Sequence, residues 1–166
     1  MALTVVADRL CGATANPIVR NAQEKRQLEL IGKYLRDRGY TEKHPGAHPI
    51  SSMTPGTYAF RLNMAVGTTR KVMIPIDVVI QPKTPRPGRI PILIEAKSAG
   101  DFTNTNKRQK EEAQKTRQLR ETYGVDAHLV LFLCGYFDAG YLGYEASEGI
   151  DWIWEHRISD LDQLGI

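Results

Sequence analysis

Two carboxylates and a lysine lie inside stretches that otherwise have the composition of buried β-strands. Asp77 interrupts the run VMIPIDVVI at 72–80, and Glu95 and Lys97 end the run IPILIEAK at 90–97. The apolar and β-branched residues of both runs predict central strands of a sheet. Side chains alternate between the faces of a strand, so Glu95 and Lys97 point to the same side, and Asp77 can join them there if the strands are neighbours.

These three groups have the chemistry of a divalent metal site. Burying a carboxylate is costly unless a partner compensates it, and adjacent carboxylates raise each other's pKa unless a cation lies between them. Mg²⁺ usually takes one or two carboxylates with waters and phosphate oxygens, and a lysine on the same face can orient or activate an attacking water. The alternative is a solvent-facing Asp77 on an edge strand and a surface ion pair between Glu95 and Lys97, which the apolar flanks disfavour.

A helix is predicted at 17–38, before these strands. Asn16 and Pro17 are a typical helix start, and Gly39 is a typical stop. Glu24 lies one turn before the apolar stripe, so it either points to solvent near the helix start or supplies a third acidic group to the metal site. The stripe consists of Leu28, Ile31 and Leu35, and Gln27 lies beside Glu24 in this pattern.

A second helix, after the strands, concentrates positive charge. The stretch 107–120 contains six bases and two acids, a local charge of +4, while the whole chain of 166 residues carries only +3. Such a run is either a solvated helix face or a surface for the DNA backbone, and its closeness to the metal site favours DNA. Asparagines near the helix start could read adenine edges or cap the helix. The candidate DNA-facing residues are Asn104, Asn106, Lys107, Arg108 and Lys110.

The predicted order of elements is αβββαβ, followed by a short helix at 139–147, a strand at 150–156 and a closing helix from Ser159. The Gly67-Thr68-Thr69 turn joins the first two strands, and Trp152 and Trp154 are expected in the core. The fold class is therefore α/β, with a mixed central sheet flanked by helices. Length and a hydrophobic content of 42% suit one domain over 1–166.

Both the element order and the tripeptides resemble the PD-(D/E)XK nuclease superfamily. The residues that match its motif are Pro75-Ile76-Asp77 followed by Glu95-Ala96-Lys97, with Ile76 at a position that is not catalytic. The resemblance implies that the Asp, the Glu and the carbonyl of Ala96 hold Mg²⁺, and that the Lys assists the attacking water. It also implies a supporting role for a Glu of the first helix, which in this chain is Glu24.

The resemblance is greatest to type II restriction endonucleases of the XamI type. It is carried by the first-helix region, the stretch IEAKSAGDFTNTNKRQKEEAQK and the tail GIDWIWEHRISDL. It implies a Mg²⁺-dependent endonuclease that cleaves double-stranded DNA, acting as a homodimer in a prokaryotic cytoplasm. Restriction enzymes of this kind are usually longer, which leaves open whether this is the C-terminal catalytic part of a longer enzyme. A structure-selective repair or junction-resolving nuclease and a catalytically silent DNA-binding module stay open as alternatives.

Cysteine usage and hydropathy agree with a reducing compartment. Cys11 and Cys134 lie far apart and give no disulfide framework. No apolar run is long enough for a signal peptide or a membrane span. The four histidines have no cysteine pair to complete a zinc site.

Overall fold

A six-stranded mixed sheet forms the centre of the molecule, and helices cover both of its faces. The computed structural model describes the backbone of residues 2–98 and 105–166, and the side chains of residues 18–98 and 106–166. The sheet order is β1 to β6, in which β3 runs antiparallel to all the other strands and every pair that does not include β3 is parallel. The strands are β1 (Thr41–Glu42), β2 (Thr57–Val66), β3 (Val72–Gln81), β4 (Ile92–Ser98), β5 (Leu129–Cys134) and β6 (Asp151–Trp154).

Three α-helices and two 3₁₀ segments complete the described residues. They are α1 (Ala2–Asp37), α2 (Thr105–Tyr123), α3 (Ala139–Ser147) and the 3₁₀ segments Ile50–Ser52 and Glu155–Leu164. The predicted α/β class, the αβββαβ order and the mixed sheet flanked by helices are therefore confirmed. Within the described ranges, no helix is both long and apolar enough to cross a bilayer.

The sheet separates two apolar layers. The α1-side cluster packs Leu28, Ile31 and Leu35 against strand residues that include Ile94 and Phe132. The α2-side cluster packs Leu119 against strand residues that include Val79, Leu93 and Leu129. The predicted stripe of α1 is confirmed, because all three of its residues are buried. Burial of both faces explains why β3, β4 and β5 read as continuous apolar runs rather than as alternating ones.

The β2–β3 hairpin forms at the predicted glycine. Gly67 has a φ of 109°, and any side chain there would collide with the carbonyl of Arg70. Trp152 and Trp154 also lie as predicted, half-buried against a small apolar cluster that contains Leu131 and Leu133.

The boundaries of α1 and of the tail differ from the predictions. α1 begins at Ala2, not at Pro17. A proline inside a helix removes one backbone donor, and the helix-forming residues on both sides can continue the helix at that cost. The tail strand ends at Trp154, and the 3₁₀ segment begins at once rather than at Ser159. The two-residue strand β1 is too short to leave a periodic signal in sequence.

Candidate active site

Asp77 and Glu95 lie where β3 and β4 stop pairing. The last register pair between the two strands is Val78 with Ile94, one position before the two acids would face each other. Asp77 instead accepts a hydrogen bond at Oδ2 from the backbone N–H of Ala96 over 2.8 Å. The carboxylate thus uses a backbone donor that the ladder leaves unpaired, and it lies beside Glu95 at the point where the strands diverge.

A backbone irregularity on the neighbouring strand accompanies this divergence. The β2–β3 ladder skips one position, at which Arg61 and Asp77 lie opposite each other. Arg61 has a φ of 49°, in the left-handed region that non-glycine residues seldom adopt. At this position the strand also changes face, since Phe60 packs with the α1-side cluster and Leu62 with the α2-side cluster. Such strain commonly persists at functional sites.

Glu95 is paired with a lysine that comes from α2. Its Oε1 accepts a short hydrogen bond from Lys115 Nζ, which also donates to the carbonyl of Pro75 over 2.8 Å. Only 5% of Glu95 is exposed, and burial alone would raise its pKa. The ammonium groups of Lys97 and Lys115 more than offset burial and hold the pKa of Glu95 below its usual range. Glu95 is therefore the ionised member of the acidic pair.

Asp77 is the member of the pair that favours its protonated form. Burial is the largest cause, and the Glu95 carboxylate adds to it, so the pKa of Asp77 is raised to about 7. The N–H of Ala96 acts in the opposite direction. A cation between the two acids would remove this penalty, which is the electrostatic condition expected of a metal site.

Lys97 is on the same face as Glu95, as predicted, but its closest anionic partner comes from α2. Its Nζ lies 3.3 Å from Glu112 Oε1. Burial opposes the charged form, but the carboxylates of Glu112, Glu95 and Asp77 outweigh it and raise the pKa of Lys97. The ammonium is thus held between the acidic pair on one side and Glu112 on the other.

Behind Lys97 lies a second group of buried polar side chains. Glu112 is 3% exposed and accepts a hydrogen bond at Oε2 from the hydroxyl of Tyr141 over 2.9 Å. Glu145 is fully buried next to it. Burial, together with the contact with Glu112, raises the pKa of Glu145 to about 9. Both residues contributed by α3, Tyr141 and Glu145, are one helical turn apart and face α2.

Glu24 is not brought into the acidic pair. α1 covers the sheet face opposite to α2, and the carboxylate of Glu24 forms an ion pair with Arg61 at 3.2 Å. Among the described residues there is no group of three or more acidic, histidine or cysteine side chains placed to bind a metal. The carboxylate of Glu24 is thus engaged by Arg61, although its charge still contributes to the raised pKa of Asp77.

Gln27 fastens α1 to the strands that form the site. It is buried, and its amide donates to the backbone carbonyls of Lys97 over 3.2 Å and Phe132 over 3.1 Å. These two hydrogen bonds hold the carboxyl end of β4 against α1.

The predicted DNA-facing residues divide by their exposure. Asn106, Lys107 and Lys110 are exposed at the start of α2, and Lys107 is 3.8 Å from Glu111. Arg108 is half-buried, and its charge acts on Tyr141. Asn104 lies outside the described residues.

The later bases of the α2 run are paired with other groups of the protein. Arg117 pairs with Glu148 over 2.9 Å, and Arg120 donates to the carbonyls of Glu148 and Gly149 over 3.0 and 2.8 Å. With Lys115 bound to Glu95, half of the six bases of the run are used to attach α2 to its neighbours. The surface available to a phosphate backbone is thus the first turn and a half of the helix.

The polar groups behind the site were not recognised from sequence. Glu112 falls in the buried stripe of α2, four positions before Thr116 and seven before Leu119. This spacing is visible in sequence, but a carboxylate on an inward stripe is easily read as part of the flanking charge. Tyr141 and Glu145 are spaced i and i+4 on one face of α3, and only the packing of α3 against α2 shows what that face meets.

The donors at the diverging strands suit a hard divalent cation. Asp77 and Glu95 provide two carboxylates, and Mg²⁺ commonly takes two carboxylates and completes its shell with water and phosphate oxygens. An ammonium group already lies against Glu95, which shows that the position accepts a cation. The residues present therefore fit the predicted metal.

Comparison with known proteins matches the chain to a family model and to a curated relative. The family model described as XamI restriction endonuclease matches residues 1–154. The type II restriction enzyme SalI of Streptomyces albus G is 63% identical over 166 residues, which cover 99% of this chain and 53% of that enzyme. The chain thus spans about half the length of this relative. A solved structure, protein VC1899 of Vibrio cholerae, matches 85% of this chain and 31% of its own with a TM-score of 0.47 and 14% identity.

Proposed function

The chain belongs to the XamI restriction endonuclease family, and from this premise we propose that it hydrolyses phosphodiester bonds in double-stranded DNA as a Mg²⁺-dependent type II restriction endonuclease. One observation carries the proposal, namely that Asp77 and Glu95 lie side by side where β3 and β4 diverge. Lys97 lies on the same face, within the field of both acids. This set of groups is what metal-assisted hydrolysis of a phosphodiester requires.

The catalytic roles divide among five groups of the chain. Asp77, Glu95 and the carbonyl of Ala96 would hold the metal, which when bound polarises the scissile phosphate and offsets charge on the leaving oxygen. Lys97 directs its ammonium protons toward the attacking water and fixes its position. Glu24 assists only when its carboxylate is released from Arg61.

Contacts to the DNA backbone would come from the start of α2. The exposed bases Lys107 and Lys110 can approach phosphates without rearrangement of the protein, and Asn104, Asn106 and Arg108 lie close to them in sequence. Lysine and arginine on such a face supply salt-dependent affinity that does not depend on sequence. Recognition of particular bases needs further contacts at base edges.

We also propose that the protein acts as a homodimer in a prokaryotic cytoplasm. One site cleaves one strand, and a two-fold symmetric pair of subunits would present one site to each strand of a duplex. We further propose that residues 1–166 act as one nuclease domain, because both apolar layers share the same sheet.

Plasmid cleavage tests this function. Wild-type protein, the variant Glu95→Gln and the control variant Glu111→Gln are each incubated with supercoiled plasmid in Mg²⁺ and in EDTA. Discrete fragments from wild type and control, in Mg²⁺ only, are expected. Cleavage confined to branched or damaged substrates would favour a repair or junction-resolving nuclease, and DNA binding without any Mg²⁺-dependent cleavage would favour a silent binding module.

A further inference from the structure

The pair Glu112 and Glu145 lies outside the acidic pair that would hold the metal, yet it touches the catalytic lysine. Glu112 is 3.3 Å from Lys97 Nζ through one oxygen and 2.9 Å from the Tyr141 hydroxyl through the other. Both glutamates are buried. Burying an ionised carboxylate costs desolvation free energy even when it is paired, and apolar residues of similar volume often stabilise a core as well or better. This cost suggests that Glu112 has a role beyond folding stability.

Among the described residues, Glu145, the second glutamate, has no hydrogen-bond donor to stabilise a negative charge. Within the described part of the chain, neither oxygen of Glu145 accepts a hydrogen bond from an N–H or O–H group. Its carboxyl lies close enough to Glu112 for that carboxyl to raise the pKa of Glu145, in addition to the effect of burial. Two buried carboxyl groups this close are accommodated when one of them carries a proton, and the Lys97 ammonium beside Glu112 favours the proton on Glu145. The proton therefore belongs on Glu145, in agreement with the direction of its pKa shift.

We propose that Glu112 is a positioning residue for Lys97, and that the Tyr141 hydroxyl and the Glu145 carboxyl orient Glu112 from the side away from Lys97. The proposal rests on the proposed nuclease function, in which the Lys97 ammonium fixes the attacking water. Lys97 has a long flexible side chain with three donors, so an anion on the side away from the metal restricts which proton points at the water. α3 is the element that supplies this support, since its N-cap Asp138 accepts the Tyr141 N–H over 2.7 Å and so fixes the helix start.

Other charged groups around the pair are consistent with one proton on Glu145. Lys97 from β4 lowers its pKa, and Glu112 from α2 and Glu148 from the end of α3 raise it. Arg108 acts on the adjacent Tyr141. With Glu145 neutral, Lys97 and Glu112 form a balanced pair, whereas an ionised Glu145 would leave an extra buried negative charge.

The decisive comparison is between two conservative variants in single-turnover cleavage. Glu145→Gln keeps a donor toward Glu112 and should cleave within about threefold of wild type. Glu112→Gln removes the anion and should slow the cleavage step by roughly 10- to 100-fold, as is usual for loss of a group that orients a catalytic one. DNA affinity, measured without Mg²⁺, should be unchanged in both. Glu111→Gln, an exposed neighbour on α2, is the matched control.

Each outcome separates the positioning role from alternatives. A wild-type cleavage rate in Glu112→Gln overturns the role of Glu112. A loss of activity in Glu145→Gln as large as that in Glu112→Gln overturns the proposed proton on Glu145. If Glu112→Gln does not fold, Tyr141→Phe decides instead, because it removes one hydrogen bond to Glu112 without a charge change and should slow cleavage by a few-fold at unchanged DNA affinity. An unchanged rate in Tyr141→Phe then overturns the role of Glu112. Wild-type protein without any cleavage counts against the proposed function itself.

Discussion

Two pairs of carboxyl groups lie on either side of Lys97, and they differ in what compensates their charge. In the pair Asp77 and Glu95, two lysines act on Glu95, and Asp77 is partly exposed where the strands diverge. In the pair Glu112 and Glu145, a single lysine contacts Glu112, and Glu145 is sealed from solvent by α3. The first pair is open to a solvated cation from outside, and the second can be neutralised only by a proton.

Charge balance explains the difference in pKa. The four carboxyl groups share the ammonium groups of Lys97 and Lys115. One acid in each pair has a raised pKa, about 7 for Asp77 and about 9 for Glu145, so near neutral pH Glu145 is protonated and Asp77 partly so, which lowers the net negative charge of the region. The pKa of Asp77 is close to physiological pH, so at the proposed metal site a divalent cation would replace this proton. The proton on Glu145 is retained, which makes the second pair a support rather than a metal site.

Loss of a carboxylate from the first pair should have the largest effect. Asp77→Asn or Glu95→Gln removes a metal ligand, and the several kcal/mol that a bound metal contributes to the transition state corresponds to a loss of roughly a thousand-fold or more in cleavage rate. The rise in melting temperature on adding Mg²⁺ should also disappear, because a ligand stabilises only a fold that binds it. Single-turnover cleavage and thermal melts measure both effects. A variant of either residue with near wild-type cleavage would refute the metal-site assignment.

The two lysines beside Glu95 should respond in opposite ways. Lys97→Met should lower the single-turnover rate by roughly 10²- to 10⁴-fold while DNA affinity holds, because its ammonium acts on the water. Lys115→Met should instead raise the apparent Mg²⁺ affinity by up to about tenfold, since it releases Glu95 from a competing cation. Mg²⁺ titrations of the cleavage rate separate the two. Unchanged Mg²⁺ affinity in Lys115→Met would show that Lys115 does not compete with the metal.

The pH dependence of folding stability distinguishes the two raised pKa values. A carboxyl whose pKa is raised by folding stabilises the protein fully below its unfolded pKa, and this contribution is lost as pH rises through the folded pKa. For Glu145 the window runs from its ordinary 4.5 to about 9, and for Asp77 from 3.8 to about 7. Of these two contributions, only that of Glu145 is still falling between pH 7 and pH 9.

Glu145→Gln should therefore flatten the stability profile above pH 7. Wild-type protein in EDTA should lose at most about 3 kcal/mol between pH 7 and pH 9 from this group, at about 1.36 kcal/mol per pH unit. Urea unfolding of wild type, Glu145→Gln and Glu111→Gln at the two pH values measures the difference. Equal slopes in all three proteins would contradict a buried proton on Glu145.

The first carboxyl pair could be predicted from sequence, and the second could not. Asp77, Glu95 and Lys97 interrupt runs so apolar that their burial was evident, and strand alternation placed Glu95 and Lys97 together. Glu112 and Glu145 lie on helices whose sequences also contain exposed charges. The two residues come together only because α3 packs on α2. A pattern within one element can predict which face is buried, but not which element covers it.

The same limit applies to the two long helices. The stripe of α1 was predicted correctly because periodicity is a property of the segment itself. Glu24 was expected at the metal because it continued that stripe, but its partner Arg61 depends on the left-handed turn in β2, which has no sequence signal in an arginine. The charge run of α2 is visible in sequence, but the sequence does not show that Lys115 and Arg117 are paired with acids from β4 and the end of α3.

The outer face of α2 belongs to neither carboxyl pair, so its bases should affect DNA binding and leave the chemistry unchanged. Lys107 and Lys110 are exposed, and each phosphate contact that they make contributes about 0.9 to the slope of log affinity against log salt. The double variant Lys107→Gln/Lys110→Gln should therefore flatten the slope by about 1.8, equally for cognate and random duplexes. The half-buried Arg108 adds up to about 0.9 only if it also reaches a phosphate.

Arg117→Gln is the matched control, because its guanidinium pairs with Glu148 and should not reach DNA. Fluorescence anisotropy over a range of salt concentrations gives the slopes, and single-turnover cleavage at saturating protein gives the chemical rate. A double variant that loses discrimination between cognate and random DNA would mean that one of the lysines contacts bases rather than phosphates. An unchanged salt slope in the double variant would show that this face is only solvated. A slower cleavage rate at saturating protein would show that DNA binding and chemistry are coupled through α2, which carries Glu112 and Lys115 on its inner side.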